Sequence, residues 1–465
     1  MGTTSARVRR TGLFVTAVAA VLLTPAGAWA VGETITDVRI LDNQRTDEST
    51  VRSLAGVSIG DTMELDTLER VRERLNTAGL FSDVNVWWEQ HGEGVRINVA
   101  VKDKFPWAPV PTASWSANNK SFGLVFVHGN LFGRGKQLLI GGRIANIDSG
   151  ATLAYRDPSL FGSWIYWQMQ GFIQRQVIPE YNPSVDVPVS AERETNLNSY
   201  GFEIQTGIAW FRRLKTQVAW QLQKVNVNGS NTPETDTMPQ GPYPGPVAAH
   251  SALVGIGRAG LSFDFRAREF AVMTGMALGA SFDLASTSFG SDIEYWRAAA
   301  SFERGVKFFR AHNFIVGGYG ALGHNLPFWN EYTNGGPNQR GYLFQQFRGD
   351  SMVTAKAEYH FPLFSIGSLD FRGLGFYDVG AVWFRTLPIE PSNLQLNGSY
   401  TRPTLDARNF LPQTQQGFKA GRDIHNSVGG GLRFFLRSVA IPLIGFDAGY
   451  GIEARHWRFV LIVGA

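Results

Sequence analysis

The sequence predicts a mainly β protein: a 16-stranded antiparallel transmembrane β-barrel preceded by one small α/β domain of βααββ order. Three observations carry this. The composition, with 52 glycines, 13% aromatic residues and only 18% charge, favours strands over helices. Beyond the N-terminal leader no run of 18 apolar residues occurs, which leaves no transmembrane helix, while short alternating segments recur from Phe105 to the last residue. Connection length also alternates with position in the chain. Long connections fall near residues 178–197, 229–250, 326–349 and 384–425, all odd-numbered, whereas even-numbered junctions include Arg212-Arg213, Arg266-Ala267-Arg268 and Arg310-Ala311. Membrane barrels have short turns at one rim and long loops at the other, and a soluble sandwich has no reason to sort its loops by parity.

Residues 1–30 read as a secretory signal peptide, removed after Ala30. Basic Arg7, Arg9 and Arg10 precede an apolar stretch over residues 13–23, then Pro25 and Ala28-Trp29-Ala30. That stretch is shorter than the roughly 20 residues a membrane-spanning helix needs. The whole chain has 43 Lys and Arg against 39 Asp and Glu. With the three leader arginines set aside it is close to neutral, so no nucleic-acid partner is expected. The absence of cysteine excludes disulfides, thiolate zinc sites and cysteine nucleophiles, and suits an oxidising compartment.

Residues 31–104 hold the α/β domain. Ile35, Val38 and Ile40 form a strand running into the turn Asp42-Asn43. Asp47 or Ser49 caps a short helix that ends near Ala55-Gly56. Asp66 caps a second, with Leu68, Val71, Leu75 and Ala78 at helical spacing before Gly79. Strands over residues 83–89 and 95–101 complete the order. A three-stranded sheet with helices on one face leaves an edge strand free, to which an extended client could add through the Ile35, Val38 and Ile40 strand.

Residues 105–465 form the barrel. Strands start near Val110, Ser121, Lys136, Gly150, Ser163, Asn198, Leu214, Ser251, Glu269, Asp292, His312, Asp350, Ser368, Asn426, Ile441 and Trp457. The spacing of roughly 22 residues accommodates the 9–11 that a tilted spanning strand requires. Alternation assigns faces in the clearest segments. Val353, Ala355, Ala357, Tyr359 and Phe361 point out and Thr354, Lys356, Glu358 and His360 in. Leu369, Phe371, Tyr377, Val379 and Trp383 point out and Asp370, Arg372 and Asp378 in. An apolar outside around a polar inside is the pattern of a barrel in lipid.

The sixth external connection, residues 326–349, carries Gln339-Arg340-Gly341-Tyr342 and Phe347-Arg348-Gly349, and the strands after it carry Glu358-Tyr359-His360-Phe361-Pro362 and Gly375-Phe376-Tyr377-Asp378-Val379-Gly380. With Asn130-Leu131-Phe132-Gly133-Arg134-Gly135 and Tyr155-Arg156-Asp157-Pro158, these segments resemble the BamA-type superfamily of outer-membrane assembly and translocation barrels. The small domain, with Gly60 between its helices and Gly79-Leu80-Phe81 before Val84 and Val86, is similar to a POTRA module. The resemblance implies that the sixth loop folds into the lumen. Arg340 would then pin it to Asp378 and Glu358, Gly341 would allow the tight backbone and Tyr342 would pack the tip. It also implies a weak seam between first and last strands, where Pro109, Pro111 and Gly464 thin the ladder. The final Val463-Gly464-Ala465 departs from the aromatic terminus of many such barrels.

On this reading the protein is not an enzyme, takes no cofactor or metal, and resides in a bacterial outer membrane with the POTRA module in the periplasm. It assists insertion of other outer-membrane proteins. Its partners are outer-membrane lipid, unfolded outer-membrane or exported client proteins, and periplasmic or lipoprotein accessory factors. The alternatives are a translocation pore for one exported protein, as in two-partner secretion, whose pores usually carry two POTRA modules and a plug helix, or a passive pore or enzyme on the same fold. Two motifs are decoys. Gly255-Ile256-Gly257-Arg258-Ala259-Gly260 has dinucleotide spacing but lies in a β segment without the required helix. His425 and Ser427 lack the elbow of a hydrolase nucleophile, and His91, in an apparent hairpin, lies apart from any metal-ligand cluster.

Overall fold

The computed structural model describes residues 31–160, 163–181, 187–188, 191, 193–211, 213–231, 249–385, 417–436 and 442–464. Residues 1–30, where a signal peptide is expected, Arg212, and most of the long connections 229–250 and 384–425 lie outside the described residues. The backbone divides into two compact units, the second beginning its main run at Lys104.

The first unit contains β1 (Ile35–Leu41), α1 (Glu48–Ala55), α2 (Thr67–Ala78), β2 (Phe81–His91) and β3 (Gly94–Asp103). Its sheet runs β1-β3-β2, with β1 parallel and β2 antiparallel to the central β3. The parallel pair is possible because two helices intervene in the chain. Val51 and Ala55 on α1, and Val71 and Leu75 on α2, are each four residues apart and so share a face. They pack on Ile35 and Val38 of β1 and on alternate Val95, Ile97, Val99 and Val101 of β3. Gly79, at φ 73°, closes α2 in the left-handed region. Asp66 stands at the start of α2 but makes no side-chain cap; its carboxylate is drawn instead to Arg70, one turn on.

The three strands are also tied by charge. Arg96 on β3 donates through Nε to Asp37 on β1 at 2.6 Å and through Nη1 to Glu89 on β2 at 3.0 Å. Hydrogen bonds from Arg96 hold both carboxyls below their ordinary values. A carboxyl whose folded pKa is depressed contributes stability that is present above its unfolded pKa and is lost as pH falls through the folded one. Amide exchange in β1 and β2, corrected for intrinsic rates, should therefore accelerate as pH drops below the ordinary 3.8 of Asp37 and 4.5 of Glu89. Arg96→Met should remove this pH response; an unchanged response in that variant would show the tie to be idle.

The second unit is a closed antiparallel barrel. Its strands are β4 (Trp107–Trp115), β5 (Lys120–Leu131), β6 (Lys136–Ala145), β7 (Asp148–Asp157), β8 (Ile165–Glu180), β9 (Arg193–Phe211), β10 (Leu214–Asn231), β11 (His250–Asp264) with its short continuation β12 (Ala267–Glu269), β13 (Val272–Ala285), β14 (Tyr295–Phe308) and β15 (His312–His324). Between β15 and β18 (Ser351–Ile366), the sixth loop contains a small hairpin of β16 (Tyr332–Asn334) and β17 (Phe347–Gly349). The wall is completed by β19 (Leu369–Trp383), β20 (Ile424–Leu436), β21 (Pro442–Gly451) and β22 (His456–Val463). Counting β11 and β12 as one strand gives the sixteen expected. The turn expected at Arg266-Ala267-Arg268 lies instead at Phe270-Ala271, because the outgoing strand continues past an irregularity at Phe265-Arg266 and pairs Ala267 with Thr274.

Alternation sorts the wall as lipid requires. Phe122, Ile144, Ile173, Phe202, Val353 and Phe459 stand exposed on the outer face, while carboxylates and guanidiniums pair inside, as in Arg258 with Glu203 at 2.5 Å and with Asp283 at 2.9 Å. The inside is not polar throughout. Val225, Val227, Val254, Ile256, Ala285 and Tyr295 form an inner apolar patch that packs on Leu326 and Phe328 of the sixth loop. Where protein rather than water fills the lumen, the inner face follows the rule of an ordinary core. Gly255 belongs to this wall: a Cβ there would lie 1.9 Å from the carbonyl oxygen of Phe289, so the dinucleotide-like glycines serve close packing within β11.

Candidate functional site

The sixth loop turns at residues 337–342, and its charge centre is Arg340, only 5% exposed. Asp378 on β19 takes the guanidinium at two points, Nε to Oδ2 at 2.8 Å and Nη2 to Oδ1 at 2.6 Å. The Arg340 backbone N–H donates to the same carboxylate at 3.3 Å. Glu358 on β18 lies 2.9 Å from Nη2. The strand register explains why two neighbouring strands deliver both carboxylates: Glu358 sits opposite Phe376, two residues before Asp378, and alternation turns all three side chains inward. The planar fork of arginine matches this two-point geometry, which a lysine cannot reproduce.

Three residues that the sequence reading did not assign to the lock complete the centre. Asp447 on β21 lies 3.4 Å from Nη1 of Arg340 and accepts from Arg433 at 2.5 and 2.8 Å. The guanidinium carbon stands 3.4 Å from the centroid of Phe376, a cation–π contact. His360 places Nε2 2.8 Å from Glu358. The signal for Asp447 was an inward carboxylate flanked at two-residue spacing by Gly445 and Gly449. A Cβ on Gly449 would meet the Arg340 carbonyl carbon and the Gly341 nitrogen at 2.8 Å.

Gly341 has φ 97°, and a Cβ there would approach the Gly451 nitrogen to 2.6 Å, so both its conformation and its space exclude a side chain. Tyr342 is buried, its ring edge-on to Phe347 and to His425. Its hydroxyl lies 2.5 Å from Glu453 in the β21–β22 turn and 3.0 Å from the carbonyl of Asn426. On the other side Asn118, in the β4–β5 turn, accepts from the Phe344 N–H at 2.9 Å and donates to the Phe344 carbonyl at 3.0 Å. His425 stacks on Phe347 with centroids 3.7 Å apart, so its ring serves loop packing. A cavity of about 950 Å³ opens beside Arg340, lined by charges of both signs including Lys215, Asp264, Glu303 and Lys356. Among the described residues no group of three or more His, Asp or Glu side chains is placed to hold a metal.

The edge residues Ile35, Val38 and Ile40 belong to the other unit. Ile35 and Val38 are core side chains and Ile40 is half-buried against the same core, so what β1 offers a partner is mainly its backbone edge. At Ile35 even this is occupied, since its N–H donates to Asp61 and its carbonyl accepts from Gly60, both at 2.8 Å.

A barrel with an inward sixth loop, preceded by a βααββ unit, has a counterpart in family models. The Omp85 superfamily domain matches residues 130–454, and POTRA, described as a surface antigen variable number repeat, matches residues 33–104. The chain belongs to the Omp85 superfamily. Among solved structures this Omp85 chain is similar to BamA from Haemophilus ducreyi lacking POTRA domains 1–3, with TM-score 0.64 and 15% identity over 93% of this chain and 84% of that one. It is also similar to CdiB from Acinetobacter baumannii, with TM-score 0.57 and 13% identity over 93% and 74%. CdiB from Escherichia coli gives 0.58 and 12% over 93% and 76%. No curated protein sequence matches it.

Removing one partner of a buried ion pair typically costs about 3–5 kcal/mol. Arg340→Ala should lower the unfolding free energy of the barrel, measured by denaturant titration in detergent, by that order, with Arg340→Lys in between because it keeps charge but not the two-point grip. An Arg340→Ala barrel as stable as the natural one would mean that the carboxylates merely line a wet lumen.

Proposed function

We propose that this Omp85 barrel resides in a bacterial outer membrane with its POTRA unit in the periplasm, and assists insertion of other outer-membrane proteins. Unfolded client strands engage the seam between first and last barrel strands and the backbone edge of the POTRA sheet. Arg340, held by Asp378 and Glu358 with Gly341 and Tyr342 at the tip, pins the sixth loop inside the lumen while clients pass at the seam.

The observation that carries this reading is the length of the closing ladder. β22 meets β4 over three residue pairs, Leu461 with Trp115, Ile462 with Ser114 and Val463 with Ala113. Its neighbours run longer: β21 and β22 pair from Ile444–Val463 to Gly451–His456, and β4 and β5 from Trp107–His128 to Trp115–Lys120. Backbone hydrogen bonds run continuously between neighbouring strands of a barrel in lipid, so the shortest ladder is the place where the wall separates at least cost.

The chain has no cysteine, and Ser114 and Ile462 face each other in the seam, so Ser114→Cys with Ile462→Cys gives a clean lock. In liposomes, the reduced variant should accelerate folding of an added urea-unfolded barrel protein as the natural chain does, the oxidised one should not, and reductant should restore it. Equal acceleration in the oxidised state would remove the seam from the mechanism. Depletion in cells followed by outer-membrane proteomics separates the rivals: broad loss of barrels supports insertion, loss of one secreted protein a translocation pore, and unchanged protein content with altered permeability or lipids a passive pore or enzyme.

A further inference from the structure

At the rim of short turns the hairpin of β11, β12 and β13 leaves the barrel wall. Both of its strands break at one level: the β11–β13 ladder ends at Asp264–Ala277, and the β12–β13 ladder resumes at Ala267–Thr274. Within the break Gly275 has φ 86°, and a Cβ there would lie 2.2 Å from the Phe265 carbonyl oxygen, so the bend admits only glycine. Past it β13 has no ladder to β14, whose pairing with β13 ends at Gly275–Gly305.

The freed segment turns inward, and Val272 and Met273 are buried. Gly305 follows the lumen-lining Glu303 by two residues and so shares its inward face. A Cβ on Gly305 would meet the Met273 carbonyl oxygen at 2.3 Å, so Met273 lies against the inside of β14. Asn313 on β15, 1% exposed, takes the place of the missing ladder. Its Oδ1 accepts from the Met273 N–H at 2.9 Å, and its Nδ2 donates to the carbonyls of Met273 at 2.7 Å and Val306 at 3.0 Å. The side-chain amide thus bonds Met273 as a neighbouring strand would.

The tip reaches a distant part of the wall. The ring of Phe270 stands with its centroid 5.6 Å from that of Phe435, a buried residue of β20. From β13 to β20 the wall passes β14, β15, β18 and β19, which is five strand spacings, or roughly 24 Å of arc. A hairpin standing in the wall cannot cover that arc, whereas one lying across the mouth does. Turn conformation agrees. Phe132, Phe270 and Phe309 are left-handed residues in turns of this rim, at φ 56°, 53° and 44°. Phe132 and Phe309 are 76% and 80% exposed, but Phe270 is half-buried against Phe435. A bulky residue is disfavoured in this conformation, and at Phe270 the contact across the lumen holds it there.

We infer that the β12–β13 tip is a lid on the short-turn mouth of the lumen, hinged at residues 265–266 and 275–276 and latched by Asn313 and by Phe270 on Phe435. The cavity beside Arg340 is lined by Arg266 at the hinge and by Pro337 and Asn338 of the sixth loop, so the lid closes it from one side and the loop from the other. A closed lid keeps extended polypeptide out of the lumen and leaves the wall as its route. The inference goes beyond the insertion reading and does not require it, because closure is a property of the barrel alone.

Ser262 lines the same cavity, and in a chain without cysteine Ser262→Cys supplies a single thiol. The full chain is placed in liposomes, and the share of outward-facing POTRA units is measured by protease on a parallel sample. A membrane-impermeant maleimide added outside should label the thiol slowly, and several-fold faster once Phe270→Ser or Asn313→Asp is added. Asn313→Asp keeps the shape and the acceptor but loses both donors; Phe270→Ser alters only a half-buried turn residue, and heat-dependent gel migration confirms that each barrel is folded. Separately, a short bifunctional maleimide should bridge Phe270→Cys to Phe435→Cys, and several-fold less with Asn313→Asp, as read by mass spectrometry of the digest. Labelling of Ser262→Cys at one rate with and without the lid changes, or no bridge between the two cysteines in the folded barrel, would overturn the lid, whether or not insertion is accelerated.

Discussion

The constraint on which the barrel interior depends is the burial of one guanidinium. Arg340 lies on a loop that has left solvent, and a cation without water must be met by charge and by hydrogen bonds at each donor. Asp378 supplies two contacts, Glu358 and Asp447 one each, and Phe376 covers the face. Arg433 joins the same Asp447, so the centre holds two arginines against three carboxylates. The surrounding glycines follow from this demand. Gly449 admits the backbone of residues 340 and 341, and Gly341 reaches past Gly451 in a conformation that side chains avoid.

The loop's other ties extend the same logic around the wall. Asn118 holds Phe344 from the turn after the first barrel strand, and Glu453 meets Tyr342 from the turn before the last. These two turns flank the three-pair seam. One loop therefore bridges the strands on either side of the weakest ladder while its apolar half, Leu326 and Phe328, rests on the opposite inner wall. The lumen is divided between an apolar zone where the loop rests on the inner wall and a charged zone where Lys215, Asp264, Glu303 and Lys356 line the cavity beside Arg340.

Sequence periodicity is strongest where one side of a strand meets lipid and the other meets charge, and there the register was legible: Glu358 and Asp378 were assigned inward from alternation alone. It failed where that contrast is absent. The inner apolar patch of Val225, Val254 and Ile256 reads as an ordinary hydrophobic strand, because only the docked loop makes those residues interior. Asp447 was missed because it is a single carboxylate in a strand of glycines, and its partner arrives from more than a hundred residues earlier. The displaced turn at Phe270-Ala271 was missed because the interruption at Phe265-Arg266 keeps the register and leaves no compositional mark. Arg340, Gly341 and Tyr342 were picked out by resemblance, since no local pattern states that a polar loop will turn inward.

Magnitudes tie the loop to the seam. Of the three closing pairs, only Leu461–Trp115 and Val463–Ala113 have the orientation that exchanges hydrogen bonds, so the ladder contains about four such bonds, and each backbone group left unpaired in lipid costs several kcal/mol. The contribution of the buried arginine, about 3–5 kcal/mol when its partnership is broken, is of the order of one of these bonds broken in lipid. Closure of this barrel is therefore shared between a short run of backbone bonds and a loop whose anchors stand on both sides of it. A wall closed by hydrogen bonds alone would open only by losing them in lipid, where no water replaces them. A wall closed partly from within can part at its seam while Asp378, Glu358 and Asp447, all on strands away from the first, continue to hold the loop.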